Sequence, residues 1–369
     1  MSNLFDSFNL RGILLSNRIV MSPMTRTRAT EDGVPTDMMI DYYVQRASAG
    51  LIITECTQVS DQGHGIIRAP GIHRADQIAA WRRITDAVHA AGGHIYCQIW
   101  HCGRAAHPAI RNGEQPVGPS PIAATGEFFL PSGRVAFPVP RELRTDEIPN
   151  IIADFARATQ NAREAGFDGV ELHGANGYLQ DQFLQDGSNQ RTDRYGGSIE
   201  NRARLMIETT EAMIEAWSAD RVGVRLSPSS WLSGIDDSNK LETFGYVVRA
   251  LDKLNIGYLC LREPNAEDVA RGVQIERVVE TFGPMTSVPI MANTGYDKAT
   301  GNALLARGSV EMVAFGTPFI ANPDLVERFR KDIPLSTPDA PSTFYGADKE
   351  GYTDYPTALV SPRLTAGKP

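Results

Sequence analysis

Short apolar runs of strand length recur along the chain, and stretches of helical periodicity lie between them. The runs at 18–21, 51–55, 94–99, 169–173, 222–226, 257–261, 288–292 and 311–315 are rich in Ile, Val and Leu and mostly apolar on both faces. Strands read this way in a parallel sheet that helices cover on the outside. The intervening stretches at 76–93, 148–165 and 199–217 repeat apolar residues at three and four, and Gly92-Gly93 stops the first of them. Eight strands alternating with helices predict a closed (β/α)₈ TIM barrel, an α/β fold, rather than an open doubly wound sheet.

Three segments fall outside the alternation. FNLRGILLSN carries two short apolar runs around Arg11-Gly12 and predicts an N-terminal β-hairpin placed to cover the barrel end opposite the active site. Between the third strand and its helix lies a long excursion, about 101–144, with Pro108, Pro116, Pro119, Pro121, Pro131, Pro138 and Pro140. Loops of that length serve as lids or binding elements, or are disordered. The C-terminal tail, 334–369, carries Phe344, Tyr345, Tyr352 and Tyr355, which predicts packing onto the barrel. The whole chain, 1–369, reads as a single domain.

Composition narrows the partners. The net charge of −8, with no Lys/Arg block, disfavours nucleic acid and anionic membranes. No apolar run approaches the ~20 residues of a membrane helix. The start, MSNLFDSFNL, lacks the pattern of a secretion signal, and Cys56, Cys97, Cys102 and Cys260 have neither zinc-like nor disulfide-scaffold spacing. A cytoplasmic protein with small-molecule partners, acting as a monomer or homodimer, is the expectation.

Reactive residues of such a barrel gather at the C-terminal ends of its strands. There the sequence places Thr25, then Glu55 and Cys56, then Gln98, Trp100 and His101, then His173 and Asn176, then Arg225, Asn293, Gly295, Gly316 and Thr317. In ELHGANGYLQDQFL, His173 and Asn176 can both donate to one carbonyl or nitro oxygen, which is oxyanion-hole work. Tyr178 follows, and a phenol stays protonated at neutral pH and can protonate a carbanion. Each alone could be a packing or core residue; the three together at a strand end point to catalysis.

HGANGYLQDQFL followed by NQRTDRYGGSIENRARL closely resembles the substrate-site region of old yellow enzyme-like flavoproteins, and so do LSNRIVMSPMTR, QIWHCGRAAHP, AFGTPFIANPDLV and FYGADKEGYTDYP. The likeness is nearest to the bacterial branch of pentaerythritol tetranitrate, morphinone and N-ethylmaleimide reductases. It implies bound FMN, with NADPH or NADH as reductant, and electron-poor alkenes, nitro compounds or nitrate esters as substrates. By the same resemblance His173 and Asn176 bind the substrate oxygen and Tyr178 protonates the α-carbon. Pro23, Met24, Thr25 and Cys56 border the flavin, with the Thr25 hydroxyl on its O4. Gln98 pairs with its pyrimidine edge, and Arg225 stands beside N1 and O2. Asn293, Thr294, Gly295, Gly316 and Thr317 fall where the phosphate binds, and Trp100, Tyr345 and Ile66 line the substrate pocket. Two positions depart from the pattern: Thr317 stands where many members have Arg, and Ile66 where close ones have Tyr. The first predicts weaker phosphate binding and the second a wider pocket.

Rival readings exist. His101, Cys102 and His107, or His94 and Cys97, could be imagined as a zinc site, but the spacing fits no standard motif and no metal is expected. A barrel acting on a phosphorylated metabolite would suit the last two loops, yet no clear pattern of Lys or Glu stands at the strand ends. A flavin-binding protein without turnover is the third, against which the His173, Asn176 and Tyr178 set argues.

Overall fold

In the computed structural model, which describes residues 1–339 and 341–358, eight parallel strands form a ring. They are β1 (Ile19–Met21), β2 (Leu51–Ile53), β3 (Ile95–Trp100), β4 (Gly169–His173), β5 (Val222–Leu226), β6 (Tyr258–Arg262), β7 (Ile290–Asn293) and β8 (Met312–Phe315). Each pairs in parallel with its neighbours in chain order, and β8 pairs back onto β1, so the barrel closes. Every residue of these strands is buried, which is why they read as unbroken apolar runs. Only β2 stops short of its expected end, at Ile53, leaving Glu55 and Cys56 in the turn above it.

The outer ring is α1 (Asp37–Val44), α2 (Ala75–Ala90), α3 (Ile148–Glu164), α4 (Ile199–Ala216), α5 (Lys240–Lys253), α6 (Val278–Phe282), α7 (Lys298–Ala306) and α8 (Leu325–Lys331). In α3 the buried side is Ile148, Ile151, Phe155, Ala158, Thr159 and Ala162, spaced at three and four as one helix face requires. Truncating Phe155 there would cost ~3–5 kcal/mol.

The N-terminal hairpin pairs Phe8–Leu10 with Ile13–Leu15 across Arg11 and Gly12. Both turn residues have positive φ, 49° and 93°, the geometry of a two-residue hairpin turn. Leu10, Ile13 and Leu15 pack on Val20, Leu51, Tyr96, Tyr258 and Met312 and seal the lower end of the barrel.

The excursion after β3 is ordered. Val117–Gly118 pairs with Arg141–Glu142, and Glu127–Leu130 forms a hairpin with Gly133–Ala136. The tail packs on the upper rim as expected. Arg26 and Arg28 donate to the carbonyls of Phe344, Asp348, Glu350 and Gly351, and Tyr352 stacks on Tyr42 with centroids 4.0 Å apart. The last part of the expected tail, 359–369, lies outside the described residues.

Candidate active site

At the upper rim the strand ends open into a cleft of about 600 Å³, a size usual for a cofactor or small-molecule site (roughly 300–1,000 Å³). The loop after β4 supplies its most reactive wall. His173 closes the strand, and Asn176 and Gly177 follow with φ of 56° and 75°. This left-handed pair is held from several sides. Ser227 Oγ accepts the Asn176 N–H at 2.7 Å, and the Asp181 carboxylate accepts that of Gly177 at 2.9 Å. Gln182 Nε2 donates to the Gly177 carbonyl. A Cβ on Gly177 would meet the Leu232 carbonyl at 2.6 Å, so only glycine fits there.

His173 is buried, and burial, aided by the nearby Arg225 charge, pulls its pKa down to about 3. The imidazole is therefore neutral at ordinary pH and donates from one nitrogen only. Among the described residues its Nδ1 and the Asn176 Oδ1 have no hydrogen-bond partner. The Tyr178 ring stands edge-on to His173 at 4.9 Å and to Trp100 at 4.5 Å. Burial, with smaller contributions from Cys56 and Tyr345, pushes the Tyr178 phenol above its ordinary pKa, so it keeps its proton.

The walls beside it are built from β3 and β5, which flank β4, and from β7. Arg225 donates to Asn293 Oδ1 at 2.6 Å and to Cys260 Sγ at 3.2 Å, and its Nε has no partner among the described residues. Gln98 Nε2 donates to Glu171 at 2.7 Å, and its Oε1 accepts the Cys56 thiol at 3.3 Å. The Cys56 pKa is pushed up to about 12 by burial, against the pull of the Thr25 hydroxyl. It is a small protonated filler with no thiolate character.

The loops after β7 and β8 close the far end. Thr294 has a φ of 79°, rare for a β-branched residue, and Gly295 follows at 82° with open space where a Cβ would stand. Gly316 precedes the short helix Thr317–Ala321. Pro23, Met24 and Thr25 border the cleft beside β1, with Ile66 and the exposed Tyr345 at its mouth. Of the lining residues only Arg225 and Arg26 are permanent cations, and Arg26 is committed to the tail. No guanidinium lines the Thr317 end.

Of the residues expected to hold cofactor or substrate, Trp100 alone does not line the cleft: it is fully buried behind Tyr178, packed with Cys56, Cys102 and Ile66. Glu55 and His101, also expected at strand ends, are buried outside the lining. Ser22, Leu232, Tyr296 and Phe344 line it without having been singled out. Ser22 and Tyr296 adjoin expected positions, whereas Leu232 sits in an irregular loop that sequence periodicity does not mark. A second hollow, about 370 Å³, lies by Arg144, Arg191 and Asp193, where Arg191 is paired to Asp193 and Arg144 to Asp146. Among the described residues no three His, Cys, Asp or Glu side chains are grouped to hold a metal, and no helix is long and apolar enough to cross a membrane.

The cleft thus combines unpartnered polar atoms from His173, Asn176 and Arg225 with a buried amide and a backbone cradle bent open at Thr294 and Gly295. These polar groups fit a flat heteroaromatic group carrying a phosphate. Residues 3–336 match the model of the NADH:flavin oxidoreductase / NADH oxidase family, and the chain belongs to that family. It is a flavin oxidoreductase of the old yellow enzyme type. It is 42% identical to the old yellow enzyme homologue from Zymomonas mobilis, at a TM-score of 0.92 over 96% of this chain and 99% of that one. Morphinone reductase, solved in complex with tetrahydroNAD, is 42% identical at a TM-score of 0.91, over 97% and 98% of the two chains. The chain is also 43% identical over 359 residues to 12-oxophytodienoate reductase 1 of Oryza sativa subsp. japonica, covering 96% of this chain and 92% of that protein.

Proposed function

We propose that the protein is an FMN-dependent ene-reductase that reduces α,β-unsaturated carbonyl or nitro compounds in two alternating half-reactions. Bound FMN would supply the hydride chemistry that links NADPH or NADH to the β-carbon of the alkene. Thr25, Gln98 and Arg225 would hold its ring, and the backbone of Asn293–Gly295 and Gly316–Thr317 its phosphate. The Arg225 charge suits an edge that becomes more negative on reduction.

The observation that carries the reading is the convergence of three groups on one cleft wall. His173, neutral, and Asn176, fixed in a left-handed turn, aim polar groups at the oxygen of an electron-poor alkene and stabilise the negative charge that hydride addition places there. Tyr178, protonated beside them, delivers its proton to the α-carbon. His173 is buried, and Asn176 and Tyr178 are half-buried beside it in the cleft wall. The same reduced site is suited to nitrate esters or nitroaromatics.

The test is steady-state kinetics with NADPH and 2-cyclohexenone varied together. Parallel double-reciprocal lines are expected for alternating half-reactions. Intersecting lines, or no enone-dependent oxidation with either nicotinamide, would overturn the proposal.

A further inference from the structure

Among the described residues two buried charges at the cleft floor, Glu171 and Arg225, make no ion pair. Glu171 lies on β4, two residues before His173, with no exposed surface. One carboxylate oxygen accepts from Gln98 Nε2 at 2.7 Å and the other from the Tyr258 hydroxyl at 2.8 Å. Arg225 on the neighbouring strand is also buried, bonded to Asn293 and Cys260 with Nε unpartnered. A buried charge without compensation is costly, and the β4–β5 register sets Arg225 two residues along from the partner of Glu171. They are within electrostatic reach: burial pushes the Glu171 pKa up, and the Arg225 charge is the largest influence pulling it back. Both hydrogen bonds at Glu171 are donated to it, so neither needs a carboxyl proton.

The surroundings are shaped for this carboxylate. Gly223 stands opposite Glu171 in the β4–β5 register, and a Cβ there would lie 2.3 Å from the Tyr258 ring. Glycine at that point admits the phenol that reaches Glu171. On the other side the Gln98 amide is orientated at both ends, with its nitrogen on Glu171 and its oxygen toward Cys56 and the cleft.

Resting on the flavin reading above, we propose that Glu171 is a positioning residue for the flavin: a counter-charge beneath the floor that offsets Arg225 and fixes which end of the Gln98 amide faces the ring. A carboxylate behind Arg225 subtracts from the positive field at the pyrimidine edge. Discharging it leaves that field larger and favours the reduced, more negative ring.

The experiment is a potentiometric titration of FMN-loaded protein against a reference dye at fixed pH, with no substrate present. In Glu171→Gln the ratio of reduced to oxidised flavin at a given potential should rise about tenfold, which for a two-electron couple is ~30 mV. Tyr258→Phe keeps the ring packing and removes one donor to the carboxylate, so it should shift the ratio the same way by a smaller factor. It also serves if Glu171→Gln does not fold. A merely structural role would loosen the flavin without favouring its reduced form. An unchanged ratio, or a shift toward oxidised flavin, in FMN-loaded variants overturns the inference alone. A wild type that takes up no FMN overturns the functional reading and this inference with it.

Discussion

Replacing Tyr178 by Phe removes one oxygen and almost nothing else. Among the described residues no group hydrogen-bonds the hydroxyl, so no buried partner is orphaned, and the edge-on contacts with Trp100 at 4.5 Å and His173 at 4.9 Å belong to the ring. Folding and flavin content should be those of the wild type. The chemistry should suffer, because no neighbour can take over the proton transfer. Burial holds His173 neutral with a pKa of about 3, and the Cys56 thiol is engaged with Gln98 Oε1. A positioned general acid contributes about 10²–10⁴-fold, or ~3–5 kcal/mol of barrier. Anaerobic stopped flow separates the steps. Reduction of the flavin by NADPH should keep its wild-type rate, while reoxidation by 2-cyclohexenone should slow by about 10²-fold or more. Reoxidation at the wild-type rate would refute the assignment and make solvent the proton source.

Three further outcomes follow from the site. His173→Ala with Asn176→Ala should abolish detectable enone binding in a spectral titration while leaving the flavin in place; loss of the flavin would mean that these residues hold the cofactor instead. Thr317→Arg should slow flavin loss on dialysis, since a guanidinium can clamp phosphate with two hydrogen bonds at an end that now has none; an unchanged loss rate counts against weak phosphate binding. The pH dependence of stability has opposing contributions. His101 and His173, both held at about 3, are stabilising when neutral and cost stability as pH falls below the ordinary His range. Glu55 and Asp181, raised by burial to about 7 and about 6, bind protons in the native state first and add stability over the same fall. The melting temperature should be nearly flat from about pH 6 to 4.5 and drop below about pH 4, where the cost of the neutral histidines persists and carboxylates held low by guanidinium hydrogen bonds, such as Asp193 and Glu147, lose their charge. A steep fall already at pH 6 would contradict the balance.

The barrel was legible because a strand buried on both faces must be apolar throughout, and all eight runs appear as observed strands to within a few residues. The hairpin was legible because Arg11-Gly12 interrupts two apolar runs at the length a tight turn needs. The inside of the excursion was not. Its strands are two to four residues long and depend on distant contacts, such as the buried Arg104 donating to the carbonyls of Ile122, Ser233 and Gly234. Position along a strand indicated that His173, Arg225 and Gln98 face one cleft, since strand ends fix where side chains emerge. It could not place Trp100 behind Tyr178, because which way an aromatic at a strand end turns is decided by packing. Nor does sequence mark the left-handed Thr294, or the way Gly223 makes room for Tyr258 to reach Glu171: both are consequences of closure.

The most direct measurement is the visible spectrum of the purified protein, taken anaerobically before and after NADPH and then after 2-cyclohexenone. A bound-flavin spectrum that bleaches with the nicotinamide and returns with the enone is the predicted result. Protein that stays colourless after incubation with FMN would contradict the account at its centre.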